Sequence, residues 1–313
     1  MTAATVTTTL RLGTRGSELA RTQSQAVADA ITAATGTPVE LVHIVTEGDR
    51  SSAAITQLGG TGVFVAAIRR ALLEGSVDLA VHSYKDLPTA AEPGLIIAAV
   101  PTRQDPRDAL IARDGLTLGE LPPGSTIGTG APRRVAQLRA LGLGLDVVPI
   151  RGNVDTRMGR VAAGDLDAVV LARAGLARLG RLDVITETLD PLQVLPAPAQ
   201  GALAVECRTS DARTRELLGR LEDPTARACV VAERATLAAL EAGCSAPVAA
   251  YAEVAEGEHG AELFLRASVT AIDGSDAVRG SVTGPLPEAA ALGRALATEL
   301  LDRGAAELMA VSR

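Results

Sequence analysis

Two stretches of this chain echo one another. Gly75-Ser76-Val77-Asp78-Leu79-Ala80-Val81 and Gly164-Asp165-Leu166-Asp167-Ala168-Val169-Val170 each read as a helix stop, a turn and a buried strand. Leu12-Gly13-Thr14 and Ile127-Gly128-Thr129 are a second pair, each a strand end ahead of a helix. The repeat predicts an α/β chain with two βαβ lobes facing each other across a central cleft. Strand ends and helix N-termini would point into that cleft and attract anions.

The remaining pattern fits this frame. Strands are expected over 39–45, 77–81, 95–100, 147–150 and 202–207. Helices are expected over 18–33 with Ser17 as N-cap, over 62–73, and from Pro132, where proline suits the first turn. Pro101 and Asp105-Pro106-Arg107-Asp108 break the pattern and mark a crossover between lobes. A helix over 225–241, strands over 248–254, 262–269 and 277–282, and a helix over 288–301 read as a small α+β third domain. The expected division is 1–101 with 200–222, then 102–199, then 223–313.

At ~100–200 residues per domain, 313 residues suit two or three domains. Aromatics are 1 % of the chain, so its cores must be built from Ala, Val, Leu and Ile. No apolar run approaches the ~18–20 residues of a spanning helix, and the first nine residues lack the features of a secretory signal. Three widely spaced cysteines fit a reducing cytoplasm better than a disulfide framework. A net charge of −7 and the lack of stacking aromatics argue against nucleic acid. No metal-binding motif is present and the three histidines lie far apart, so no metal is expected.

Lys85 is the only lysine; the remainder of the 30 basic residues are arginine. A position that keeps a compact, mobile ammonium in such a chain points to a need for one. It lies in His82-Ser83-Tyr84-Lys85-Asp86-Leu87-Pro88, straight after a strand, where open α/β sheets place ligand chemistry. The plain alternative is a chance survivor in a weak surface ion pair. Asp86 beside it can hold a cationic intermediate or pass protons. A Ser83–Lys85 dyad lacks an oxyanion-hole context.

Arg15, Arg133, Arg134, Arg151 and Arg157 cluster beside Gly-Thr and Gly-Asn turns, which points to a ligand with several carboxylates. Arg139, Arg160 and Arg220 read as solvated helix faces. Cys207 and Cys229 read as core thiols. Cys244, in the loop Glu241-Ala242-Gly243-Cys244-Ser245-Ala246-Pro247, has a context in which reactivity depends on exposure and nearby charge.

Taken together, the chain resembles the porphobilinogen deaminase (hydroxymethylbilane synthase) family over nearly its full length. The stretches that carry this are Leu12-Gly13-Thr14-Arg15-Gly16-Ser17, Val81 to Pro88, Asp105-Pro106-Arg107-Asp108, Gly128-Thr129 with Arg133-Arg134, Arg151-Gly152-Asn153-Val154 through Arg157, Gln200-Gly201-Ala202 and Gly243-Cys244. The resemblance implies two lobes like those of type II periplasmic binding proteins, plus the α+β domain. It implies a dipyrromethane cofactor, thioether-linked to Cys244. Four porphobilinogen units would lose ammonia as azafulvenes and add head to tail, and hydrolysis would release hydroxymethylbilane for tetrapyrrole (haem) biosynthesis.

Under the same resemblance Asp86 is the catalytic residue. Lys85, Ser17, Thr129, Arg133, Arg134, Arg157 and Gln200 would hold the cofactor; Arg15, Arg151, Arg157 and Arg178 would hold substrate. The implied protein is a cytoplasmic, monomeric transferase with neither nucleic-acid nor membrane partner. Two departures stand out. Gly130-Ala131 replaces a frequent Ser-Ser, and Gln57 and Thr61 replace loop lysines near the Gly59-Gly60-Thr61-Gly62 hinge. The other class of function open to a two-lobed cleft is a non-catalytic small-anion binding protein.

Overall fold

A computed structural model describes residues 8–44, 62–242, 246–257 and 260–310 of the chain. Cys244, Gln57 and the Gly59-Gly60-Thr61 part of the expected hinge lie outside the described residues. Contacts divide the chain into two compact units, Met1–Arg103 with Ala202–Pro224, and Gln104–Gly201 with Thr225–Arg313. Among the described residues no helix is long and apolar enough to cross a membrane.

The first unit is built on strands β1 (Leu10–Thr14), β2 (Val39–His43), β3 (Leu79–Ser83) and β4 (Leu95–Ala99), and helices α1 (Glu18–Thr35) and α2 (Gly62–Leu73). Ser17 caps α1 by accepting from the Ala20 N–H at 3.3 Å, and Gly36 ends it in the left-handed conformation. Gln23, Val27 and Ile31 recur at helical spacing on the buried face. Alternation along β3 sends Leu79 and Val81 into the core shared with Val27 and Ile31, and Ala80 into the core shared with Ile68 and Leu72 of α2.

The second unit carries β5 (Asp108–Ala112), β6 (Thr126–Thr129), β7 (Asp146–Pro149), β8 (Ala168–Ala172) and β9 (Glu187–Thr188). Its helices are α3 (Pro132–Ala140), α4 (Val154–Ala162) and α5 (Arg173–Arg178). The chain then returns to the first unit for β10 (Leu203–Arg208) and α6 (Ala212–Gly219). The two five-stranded sheets run β2-β1-β3-β10-β4 and β7-β6-β8-β5-β9. In both, three parallel strands are followed by an antiparallel fourth, β10 against β3 and β5 against β8. The sequence echoes therefore fall on equivalent strands, β3 with β8 and β1 with β6. Strand β5 carries no expectation from sequence, because Asp105-Pro106-Arg107-Asp108 reads as a break; the strand begins at the last residue of that break.

Beyond α7 (Pro224–Ala239), strands β11 (Val248–Gly257), β12 (Gly260–Thr270) and β13 (Ala277–Pro285) form an antiparallel meander. Helices α8 (Ala289–Asp302) and α9 (Ala305–Ala310) follow, and Leu237, Leu263, Leu265, Leu296 and Leu300 share one core. Where the sequence predicts three domains, contacts join this sheet and the second α/β sheet in one unit. Glu233 of α7, 0 % exposed, is one of the links between them. Its carboxylate accepts from the Ala199 N–H at 2.6 Å and from the Ala252 N–H at 2.7 Å, and Ala250 N–H donates to Pro196 at 3.1 Å.

Glu233→Leu keeps the apolar volume but orphans both N–H groups. Each buried donor left without a partner costs about 1–3 kcal/mol. A lower urea midpoint at unchanged m-value is expected; a wild-type midpoint would show that the clamp contributes nothing.

Candidate functional site

In the first unit, the candidate Lys85–Asp86 segment leaves the carboxyl end of β3 as a single 3-10 turn, Tyr84–Asp86. The turn is tied down by its backbone: Tyr84 N–H donates to Ala202 at 3.0 Å and Leu87 N–H to Tyr84 at 3.2 Å. Tyr84 is buried, while Lys85 and Asp86 are half-buried. Among the described residues the Asp86 carboxylate has no hydrogen-bond or ion-pair partner. Ser83 is occupied on the other face of the strand by Gln23, with Nε2 at 3.1 Å from its hydroxyl, which leaves no Ser83–Lys85 dyad. Arg15 is half-buried just past β1, and Ser17 is exposed with its hydroxyl engaged in capping α1.

In the second unit, a buried cluster lies where β6 meets α3. Asp108, 0 % exposed, receives Arg133 Nη2 at 2.7 Å and Arg134 Nη2 at 2.8 Å on its two oxygens. Gln200, 1 % exposed, donates from Nε2 to Asp108 and to the Pro106 carbonyl, both at 2.7 Å. Arg133 also donates to the Leu195 carbonyl at 2.5 Å and Arg134 to that of Val170 at 3.1 Å. Burial alone would raise the Asp108 pKa; the two guanidiniums and Gln200 hold it well below the usual carboxylate range.

Arg133 and Arg134, expected to bind ligand carboxylates, are both ion-paired to Asp108 within the unit. Both are buried, and a buried guanidinium needs a counter-charge. Gln200, expected at the cofactor, is likewise committed to this cluster. Asp108 is the residue that reading the sequence missed. Its signal was a lone acid heading the apolar run Ala109-Leu110-Ile111-Ala112.

Other arginines are placed differently. Arg157 folds back so that Nε donates to the Gly152 carbonyl at 2.8 Å, and its guanidinium lies against Gly130. A Cβ on Gly130 would stand 2.8 Å from the Ile150 carbonyl oxygen and 3.6 Å from Arg157 Nη2, so the bare backbone makes room for that packing. Burial, then the charge of Arg134, lowers the Arg157 pKa. Arg151 is exposed and has no partner among the described residues. Arg178 donates to the Gly201 carbonyl at 2.6 Å, and burial pushes it down to about 10, so it stays charged at neutral pH. Gly201 has φ +88°, and a side chain there would collide with the Gln104 carbonyl. Thr129 is buried at the end of β6. Cys207 and Cys229 are buried, and burial raises the Cys207 thiol to about 11, as suits inert core thiols.

Two buried guanidiniums share one carboxylate, and the Nε atoms of Arg133 and Arg134 have no hydrogen-bond partner. The cluster therefore carries surplus positive charge, with Arg157 adding to it. A donor set of this kind fits a group bearing several carboxylates, as the side chains of a dipyrromethane do. Among the described residues no group of His, Cys, Asp and Glu could hold a metal ion.

The family description "Porphobilinogen deaminase, dipyromethane cofactor binding domain" matches residues 10–216, and "Porphobilinogen deaminase, C-terminal domain" matches residues 227–302. The chain is 62 % identical over 314 residues to Porphobilinogen deaminase of Nocardia farcinica, covering 99 % of this chain and 90 % of the relative. It is 61 % identical over 305 residues to that of Mycobacterium tuberculosis, covering 96 % and 98 %. Among solved structures, the methionine-binding protein MetQ aligns at 12 % identity and TM-score 0.42, over 68 % of this chain and 89 % of that one. A periplasmic substrate-binding protein from Coxiella burnetii aligns at 14 % and 0.44, over 70 % and 94 %.

Asp108→Asn leaves two buried guanidiniums uncompensated, and a loss of about 3–5 kcal/mol in unfolding free energy is expected at neutral pH. The Asp108 pKa is depressed by folding, so its contribution is complete above the unfolded value of about 4 and fades as pH falls below it. The gap between wild type and variant should narrow only below that pH. A pH-independent gap in denaturation midpoints would exclude an ionised Asp108.

Proposed function

This chain belongs to the porphobilinogen deaminase family, and from that premise we propose how its own residues divide the work. Acting on porphobilinogen, it would be a transferase that condenses four units head to tail, each with loss of ammonia, and releases hydroxymethylbilane by hydrolysis. It would act as a cytoplasmic monomer with no nucleic-acid or membrane partner, its three domains being 1–101 with 200–222, 102–199 and 223–313.

Cys244 would attach the cofactor through a thioether. When bound, the dipyrromethane supplies the nucleophilic pyrrole α-carbon that accepts the first incoming unit. Arg15, Arg151, Arg157 and Arg178 bind acetate and propionate groups by charge-assisted, bidentate contacts. Ser17 and Thr129 add hydroxyls, and Lys85 adds a point charge that can follow a carboxylate as it shifts. Arg133, Arg134 and Gln200 support the cofactor from beneath: joined to Asp108, they fix the start of α3 and lend it their surplus charge.

Asp86 accepts the pyrrole N–H of the reacting unit and offsets the positive charge that grows as the amine departs. The observation that carries this is the contrast between two acids. Asp108 is saturated by arginine, whereas Asp86 is half-buried, at a strand end, and unshared among the described residues. An unshared carboxylate, in a protein whose substrate itself carries carboxylates, suits positive charge that develops during the reaction.

Cys244→Ser should purify without the mass of the dipyrromethane, while Cys207→Ser and Cys229→Ser retain it. Adduct on the Cys244→Ser protein, mapped to either other cysteine, would refute the attachment site.

Asp86→Asn should load cofactor and bind porphobilinogen, yet lose most single-turnover ammonia release. An interaction made mainly in the transition state lowers kcat and kcat/KM together. Near-wild-type release would reduce Asp86 to a partner of Lys85.

A further inference from the structure

An acid stands inside an apolar strand of the first unit. Glu206 of β10 is 1 % exposed, between the fully buried Val205 and Cys207. A buried carboxylate must be compensated, and two other elements do so. Arg69 of α2 donates to Oε1 from Nη2 at 2.9 Å and from Nε at 3.1 Å. His82 of β3 places Nε2 3.1 Å from Oε2. Burial alone would raise the Glu206 pKa, but the bonds and charges of His82 and Arg69 hold it below its ordinary range. The carboxylate is thus ionised and can only accept, so His82 Nε2 carries the proton.

The cluster's place in the sheet gives it a further meaning. Glu206 lies opposite Ala80 and Ala204 opposite His82, which makes Glu206 and His82 diagonal neighbours on the α2 face. His82 is the penultimate residue of β3, and the backbone runs from it directly into the Tyr84–Asp86 turn. On the opposite face Ser83 is held by Gln23 of α1. The last two residues before the turn are therefore gripped from both sides. None of Arg69, His82 and Glu206 has a part in the chemistry described above.

We propose that the Arg69–Glu206–His82 cluster positions the Lys85–Asp86 turn, with Glu206 acting on Asp86 through His82 and the end of β3. This rests on the reading of Asp86 as the catalytic carboxylate. Arg69 orients Glu206, Glu206 fixes the His82 ring, and the ring fixes where the strand stops. The cluster links helix packing to the placement of a group it never touches.

The test compares His82→Ala and His82→Gln in holoenzyme, with cofactor loading verified by intact mass and Asp86→Asn measured alongside. Removing Glu206 itself is avoided, since it would leave the buried Arg69 with only the longer contact to the more exposed Glu92, 3.4 Å from Nη1. Glutamine carries an amide N–H at about the reach of Nε2 and can restore the donor. A shift of ~1 Å in a reacting group costs on the order of 100-fold, so His82→Ala is expected to lower kcat about tenfold or more. KM for porphobilinogen should be unchanged, and His82→Gln should recover most of kcat. Amide hydrogen exchange of a peptide spanning 82–87 should quicken in the alanine variant and return towards wild type with glutamine. If the alanine variant does not fold, His82→Asn, polar but too short, takes its place. Wild-type kcat in folded His82→Ala, with Asp86→Asn inactive, overturns the positioning role and leaves Asp86 standing. Equal losses in the alanine and glutamine variants overturn it too. Wild-type turnover by Asp86→Asn overturns both readings.

Discussion

The carboxylate of Asp108 is the contact on which the buried cluster of the second unit depends. It lets two arginines open a helix from inside the protein, a place where neither guanidinium could stand alone. One acid for two bases leaves the cluster cationic. Positive charge is thereby built into the framework of the unit, where side-chain motion and salt have least effect on it. Arg151 and Arg157, nearer to solvent, can then adjust to a ligand without also having to supply all the charge.

The first unit repeats this device in another form. The antiparallel fourth strand of each sheet carries one buried acid, Asp108 in β5 and Glu206 in β10, and each acid meets arginine. In β5 the acid lies opposite Ala172, at the carboxyl end of β8, so its ion pairs sit at that end of the sheet. In β10 it lies opposite Ala80, deeper in the sheet, and its reach to the turn after β3 runs through His82. Equivalent strands thus use buried ion pairs at different depths.

Local signals were the legible ones. Ser17 before α1, Pro132 at the start of α3 and the apolar spacing of 62–73 all act within a few residues, so the sequence displays them. The Lys85–Asp86 turn was legible for the same reason, as a charged pair following a buried strand. The pairing of Arg133 and Arg134 with Asp108 was not legible, because that acid lies well back in the chain, in what looks like a break. Glu206 was open to detection: an acid between Val205 and Cys207 in a buried strand must have a partner somewhere. The identity of that partner, on helix α2, is set by the order of strands, which local periodicity does not encode.

The shared strand order has a consequence for synthesis on the ribosome. All five strands of the second sheet lie between residues 108 and 188, so that sheet is whole once this stretch has emerged. The first sheet is not. Among the described residues its edge strand β4 pairs only with β10, and β10 is translated about a hundred residues later. At ~5–20 residues per second, β4 waits several seconds with its hydrogen-bonding edge unsatisfied. Of the two α/β sheets, the one that begins the chain is therefore the later to close, and until then its edge is open to mispairing.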